Sequence, residues 1–438
     1  MPSVGAKTLT TNRDPEAAAF SIHRTKRCAW LLSTQSLTGV SRGRENTVMR
    51  SFLKQLLLAN SMKVLLTAVL IGATVECAAA RNIKVGPGQS IQSAVDAASP
   101  GDRIMVQPGT YHEPGQPCPT DSTKLCAVVI SKDDISLIAE PRSGQQAILE
   151  NPGGKSSQYN GIAFARPNSD TAQCLNDTTL HIRGAKVSGF VVRNFDGSGI
   201  FLACVDGWTI SSNAVNDNKL YGIFPVLSSG GWINRNVVTG SNDTGIYVGQ
   251  SRDVHVNENV AHGNVSGFEL ENSQDVEVDH NESFNNTAGI QLFILPGDAV
   301  MTGQNNRVFG NFVHDNNRQN TCIPGGDVCL VPPGLGIASF AGDDNVIAHN
   351  RVTGNRTAGI VLADICTALQ LPPACNLGFD PLPENTQIEF NTVEGNGLNP
   401  APGLSGADLL WSGTGTGNCW LHNVASKLFP PQLPPCSQ

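Results

Sequence analysis

Aromatic residues make up only 6% of the 438-residue chain, and only four residues are tyrosine. Charge is scarce as well, at 15% of residues, with 29 Lys and Arg against 37 Asp and Glu and a net charge of -8. That balance excludes a basic nucleic-acid binder, and the low charge density excludes a self-repelling disordered tail. A long hydrophobic segment is also missing. The apolar run from Val64 to Val75 is far too short to span a bilayer, so no transmembrane segment is expected. What the chain has in quantity is glycine, 45 residues of it, which predicts a folded protein rich in turns.

Lys63, the Val64–Val75 run and Ala78-Ala79-Ala80 have the layout of a secretory leader over 62–80, cleaved before Arg81. Residues 1–61 lie upstream of it without apolar periodicity and are expected to be a non-structural extension, with Met49 or Met62 as alternative starts. Cys77 invites lipidation, but Glu76 is charged where such a cleavage site needs a small residue. A secreted or periplasmic location follows. Removal of the leader leaves ten cysteines, an even number that suits a disulfide framework in an oxidising compartment. None has zinc-ligand spacing.

The glycines fall into a repeat. Gly199, Gly222, Gly245, Gly267, Gly289, Gly336 and Gly359 each precede an apolar alternation, at steps of 23, 23, 22, 22, 47 and 23. Asn213, Asn236, Asn259, Asn281, Asn311, Asn350 and Asn391 keep the same phase, and most have another Asn five residues later. Two ladders in register are a strong repeat signal. A period near 22 with alternation inside it excludes helical repeats and fits one coil of a parallel β-helix. The predicted fold is all-β: a single-stranded right-handed parallel β-helix of roughly 10–12 coils over 81–438. Val, Ile and Leu would stack inward, and the ladder Asn would hydrogen-bond the backbone at the corners.

In a solenoid, residues distant in sequence are distant in space, so neighbouring cysteines are expected to pair: Cys118 with Cys126, Cys174 with Cys204, Cys322 with Cys329, Cys366 with Cys375, and Cys419 with Cys436. Other connectivities stay open from sequence alone. Ile91, Ala94, Val95 and Ala98 have helical spacing and predict a short helix capping the open N-terminal end. Three Pro- and Gly-rich excursions, near 112–126, 295–335 and 364–386, leave the period, each holding a cysteine pair. Such loops are where specificity resides on a rigid scaffold.

On these residues the chain, over about 83–430, resembles the right-handed parallel β-helix repeat of the pectin-lyase-like superfamily. "GPGQSIQSAVDAASPGDRIMVQPGTYHE" is similar to the usual opening of that fold. "LYGIFPV", "TGIYVGQS", "SGFELENS" and "VPPGLGI" resemble a family of exported bacterial β-helix repeat proteins of unassigned function. The resemblance implies the fold and leaves the chemistry to the outward residues.

Two outward columns follow from the alignment: Phe201, Phe224, Tyr247, Glu269, Gln291, Ala338, Val361, and Ala203, Val226, Gly249, Glu271, Phe293, Phe340, Ala363. They join aromatic residues to a carboxylate pair. The resulting candidate is a sugar platform of Phe224, Tyr247, Glu269, Glu271, Gln291 and Phe293, with rings stacking on the aromatics and hydroxyls bonding the acids. Tyr247→Ala would then weaken binding by about 1–2 kcal/mol and leave the melting temperature nearly unchanged. Glu269 and Glu271, with α-carbons roughly 6.6 Å apart, are candidates for catalysis or for holding calcium, with Asp243 and Gln291 as neighbours. The bland alternative is polar surface, with loops merely covering an apolar face.

Known chemistries of the fold test poorly by letter. Mannuronan epimerases carry Asp-Pro-His where this chain has Phe224-Pro225-Val226. "GDD" at 342–344 is the one polygalacturonase-like motif and reads as a turn, while "VEVDH" ending at His280 resembles a pectate lyase without its basic residue. His255, His262, His280 and His314 recur without a common phase, which argues against a copper cluster. Two expectations of different class result. One is an exported protein that binds a polysaccharide, with or without processing it as a lyase or hydrolase. The other is a non-catalytic solenoid that contacts an envelope protein. A monomer is expected in either case.

Overall fold

A computed structural model describes residues 80–167, 173–372 and 375–437. The expected upstream extension and nearly all of the expected leader lie outside the described residues. Among the described residues no helix is long and apolar enough to cross a membrane.

The chain winds into stacked coils whose strands build three sheets of 12, 11 and 12 strands. All pairings within them are parallel except the hairpin of Gln116–Cys118 with Asp121–Ile130. In the third sheet the register runs Ile200, Ile223, Ile246, Phe268, Ile290, Ile337, Ile360, Leu409, one large apolar side chain per coil. These columns fill one continuous core in which most members are fully buried. Each such burial contributes about 1.5–3 kcal/mol before the entropy of ordering is counted.

The glycine ladder has a steric cause. A Cβ on Gly267 would stand 2.6 Å from the carbonyl oxygen of Gly289, and one on Gly289 would stand 2.5 Å from that of Gly336. Coil spacing therefore leaves no room for a side chain there. The asparagine ladder has an electrostatic one. Ser212, Arg235, Glu258 and His280, each just before a ladder Asn, hold φ between 53° and 57°. A left-handed L-residue costs about 1–2 kcal/mol, and the corner it makes turns backbone groups into the core. The next Asn satisfies them. The Asn259 side chain donates to the carbonyls of Ile233 and Asn257 (2.8 and 3.0 Å) and to Asn281 Oδ1 (3.0 Å). Its own Oδ1 accepts the backbone N–H and Nδ2 of Asn236 (2.9 and 3.0 Å). The pattern continues unbroken from Asn213 to Asn423.

The N-terminal end is closed as expected. Helix Ile91–Ala97 is capped by Ser90, whose side chain accepts from the Ser93 N–H, and it buries Ile91, Ala94 and Val95. Lys132 Nζ donates to the carbonyls of Val95, Asp96 and Ala98, closing the helix C-terminus.

All five disulfides join the sequence neighbours expected. The expected excursion 295–335 needs correction. It is not one loop, because strands Arg307–Phe309 and Phe312–His314 interrupt it and stack on their neighbours in the first and second sheets. One oversized coil thus carries two insertions, 294–306 and 315–334. The 364–386 insertion is single, and it opens with the short helix Ile365–Ala368. A further insertion, 165–181, was not anticipated, and Cys174 within it is bonded to Cys204.

Candidate functional site

The outward columns of the third sheet have the register read from the sequence: Tyr247 beside Glu269 beside Gln291, and Gly249 beside Glu271 beside Phe293. They do not form an open platform. Tyr247 is 6% exposed, Glu269 4% and Gln291 2%, because four distant segments roof the sheet over a cavity of about 500 Å³. The segments are Leu295 of the first insertion, 326–332 of the second, Ile365–Gln370, and the 402–404 turn.

Tyr247, Glu269, Glu271, Gln291 and Phe293 all line this cavity, and Phe224 does not. Phe224 sits behind it, packed on Tyr221 and Tyr247 at ring-centroid separations of 4.5 and 4.7 Å. Tyr247 is therefore part of a packed aromatic cluster, so the expectation that Tyr247→Ala leaves the fold untouched does not survive. Gly249 gives the Tyr247 ring its place: a Cβ there would lie 2.9 Å from the tyrosine hydroxyl.

One end of the cavity is polar and buried. Tyr221 hydrogen-bonds Asp243, and the Thr244 hydroxyl contacts Asp243 (3.1 Å) and Glu269. Gln291 Nε2 donates to Glu269 Oε1 at 3.1 Å and to the Ser266 hydroxyl. Tyr247 hydrogen-bonds Glu271, which also meets Asp298. Burial pushes Asp243 up to about 6, with the charge of Asp327 adding to it. Burial and then the charge of Asp243 push Glu269 up to about 8. Glu271 is raised well above the carboxylate range by burial and by its contact with Asp298. At neutral pH the floor therefore holds protonated carboxyls beside an ionised one, an arrangement able to donate and accept hydrogen bonds at adjacent points.

Among the described residues no three His, Cys, Asp or Glu side chains are grouped to hold a metal ion. The histidines singled out above lie elsewhere. His255 stacks on Trp232 at 4.2 Å, His262 and His314 sandwich Phe284, and His280 turns a corner beside Asp279. The "GDD" turn is half-buried at Asp343, whose carboxylate accepts the Glu384 N–H at 3.1 Å.

Tyr221 was missed in the sequence, and the roof was anticipated only as loops covering an apolar face, not as the wall of a cavity. Tyr221 directly precedes Gly222, and the same place in the next two coils holds Thr244 and Ser266, so a polar column before the glycines was available as a signal. The position of the roof's segments had none, since they belong to irregular stretches outside the Gly and Asn ladders.

Bridge Cys322–Cys329 closes the exposed 326–332 wall. With both cysteines changed to serine, backbone amides of 320–331 should exchange about tenfold faster, while those of strand Ser266–Glu271 keep their protection. Equal loss of protection in that strand would show that the bridge holds the solenoid and not the wall.

The sequence pattern for a right handed beta helix region matches residues 173–321. No curated protein sequence matches the chain. Among solved structures, the A-module of Azotobacter vinelandii mannuronan C-5 epimerase AlgE4 aligns over 82% of this chain and 97% of that one, at 15% identity and a TM-score of 0.55. The A-module of the AlgE6 epimerase from the same organism covers 76% and 90%, at 15% identity and 0.52. Likeness at this identity is likeness of fold. Ladders, register and matches agree that the chain folds as a right-handed parallel β-helix.

Proposed function

We propose that this is an exported protein that binds a carbohydrate in the roofed cavity of the third sheet, through Tyr221, Asp243, Tyr247, Glu269, Glu271 and Gln291. One observation carries the reading: six hydrogen-bonding side chains from four successive coils converge on one end of a 500 Å³ space. Cavities of about 300–1,000 Å³ with few convergent polar groups are the usual form of a small-ligand site. Five disulfides suit an oxidising compartment, and the solved neighbours named above act on a polysaccharide. Calcium enters as a component to be tested: Glu269 and Glu271 would hold it once deprotonated, and it would supply a positive charge toward ligand hydroxyls.

The split between Asp243 and Glu269 favours a second reading that includes chemistry. Glu269, protonated at neutral pH, would give its proton to a glycosidic oxygen, and ionised Asp243 would take one from the attacking water. An aromatic cluster covered by the protein's own loops is what the envelope-partner alternative expects, and the polar side chains converging in the cavity are what favour the carbohydrate reading over it.

A glycan array probed with and without EDTA tests binding and calcium together, and mass spectrometry of the captured glycan tests turnover. Tyr247→Phe keeps the packed ring and removes only the hydroxyl bonded to Glu271. It should weaken the captured glycan by about 1 kcal/mol. Unchanged affinity in this variant and in Gln291→Ala would leave the covered face as surface and return the envelope-partner reading.

A further inference from the structure

The cavity changes character along the solenoid axis. In one column the side chains run Tyr247, Glu269, Gln291, then Ala338, Val361, Leu410. The parallel column turns from Glu271 to Phe293 and Phe340. All of these except Ala338 line the same cavity, so its floor is polar for the first coils and apolar for the rest. Coils stack about 4.8 Å apart, which places Leu410 roughly 20 Å from Glu269 by four such steps. Val331 packs in one cluster with Ala338, Phe340 and Leu410, Ile365 packs in another with Phe293 and Phe340, and Leu330 and Leu404 line the cavity as well.

Its charge is one-sided. Asp243, Glu269, Glu271 and Asp327 line the cavity, and among the described lining residues there is no Lys, Arg or His. Arg356, adjacent to the lining Thr357, turns its guanidinium to the Pro333 carbonyl at 3.4 Å. A uronate carboxylate placed here would be buried without a counter-ion, with the ionised Asp243 beside it, at high cost. The polar half instead offers hydroxyl, amide and carboxyl groups, which pair with neutral hydroxyls.

We infer that the ligand is an uncharged glycosyl group joined to an apolar chain, the sugar lying over Tyr247, Glu269 and Gln291 and the chain over Phe293, Phe340 and Leu410. The inference rests on the carbohydrate reading above and narrows it to amphiphilic neutral glycosides, excluding acidic polysaccharides.

The experiment is calorimetry on the full protein with matched probes below their micelle concentrations. The probes are octyl glycosides of glucose, galactose, mannose and rhamnose, the same four sugars without the chain, 1-octanol, and a uronic-acid trisaccharide. At least one octyl glycoside should bind tenfold or more tightly than its free sugar, and the uronate should not bind. Leu330 and Leu404 lie at the rim, 38% and 43% exposed, so Leu330→Glu and Leu404→Glu should fold normally. Each should erase the gain from the chain and leave free-sugar affinity unchanged. If free sugars bind and the chain adds less than twofold, or if the uronate binds best, the inference is overturned and the carbohydrate reading stands. If octanol binds as well as the glycosides, or nothing binds, both are overturned.

Discussion

Asn259→Ala is expected to lower stability by about 3–5 kcal/mol, near the top of what one substitution does. The side chain removed is 1% exposed and serves two coils at once. Without it, the Asn236 N–H and side-chain amide lose their acceptor, and the carbonyls of Ile233 and Asn257 lose their donor. Each buried polar group left unpaired costs about 1–3 kcal/mol, partly relieved where the neighbours relax. The left-handed corner at Glu258 keeps its strain and loses the groups that offset it. Urea unfolding of wild type and variant at fixed pH measures the difference. Arg252→Ala, on the exposed side of the adjoining strand, is the control and should stay within about 0.5 kcal/mol. A loss below about 1 kcal/mol for Asn259→Ala would make the ladder no stronger than a surface hydrogen bond.

The second large effect is of pH. In the folded protein burial holds Asp243 at about 6, Glu269 at about 8 and Glu271 well above the ordinary carboxylate range. In the unfolded chain all three titrate near 4. Between these limits the folded state keeps protons that the unfolded state has released, so stability must fall as pH rises. The contribution is complete at pH 4 and is lost as pH climbs through 6 and 8. For Glu269 alone the loss is on the order of 3–5 kcal/mol by pH 9. Glu269→Gln keeps the shape and has no proton to release, so its melting temperature should decline much less between pH 6 and 9. Parallel declines in the two proteins would mean that Glu269 ionises freely in the fold. On the acid side the sign reverses. Asp102 is held well below the usual range by its hydrogen bonds to Arg81 and Ser99, and that contribution is lost as pH falls below about 4. Stability should therefore decline on both sides of a maximum in mildly acidic solution.

The coil was legible because inward positions have no freedom. Gly289 could be placed by eye since only glycine fits under the Gly336 carbonyl, and Asn281 since a corner needs both a donor and an acceptor. The two-column register from Tyr247 to Gln291 and from Glu271 to Phe293 followed from that phase. Strands of three residues were harder: Arg307–Phe309 and Phe312–His314 vanished into a supposed loop although Asn311 and Asn316 announced their coil. The burial of Tyr247 and Glu269 was legible only as the alternative in which loops cover the face, with no covering residue assigned. It depends on the segments 326–332, Ile365–Gln370 and 402–404 closing around the cavity, and no repeat constrains the path of any of them. A chemistry made by convergence of irregular segments leaves no period in the sequence.

The oversized coils have a consequence for how such a molecule changes over generations. From Ile290 to Ile337 the chain travels 47 residues and from Ile360 to Leu409 it travels 49, yet each pair stands in register as if one ordinary turn had passed. The stack counts turns and ignores chain length. Insertions can therefore lengthen, shorten or be replaced by unrelated segments while every Asn and Gly of the ladders keeps its neighbour. Floor and roof are inherited on separate terms: the floor tolerates almost no variation inward, and the roof can be rewritten wholesale. One solenoid could come to take different ligands by loop exchange alone, with the stacked scaffold unchanged.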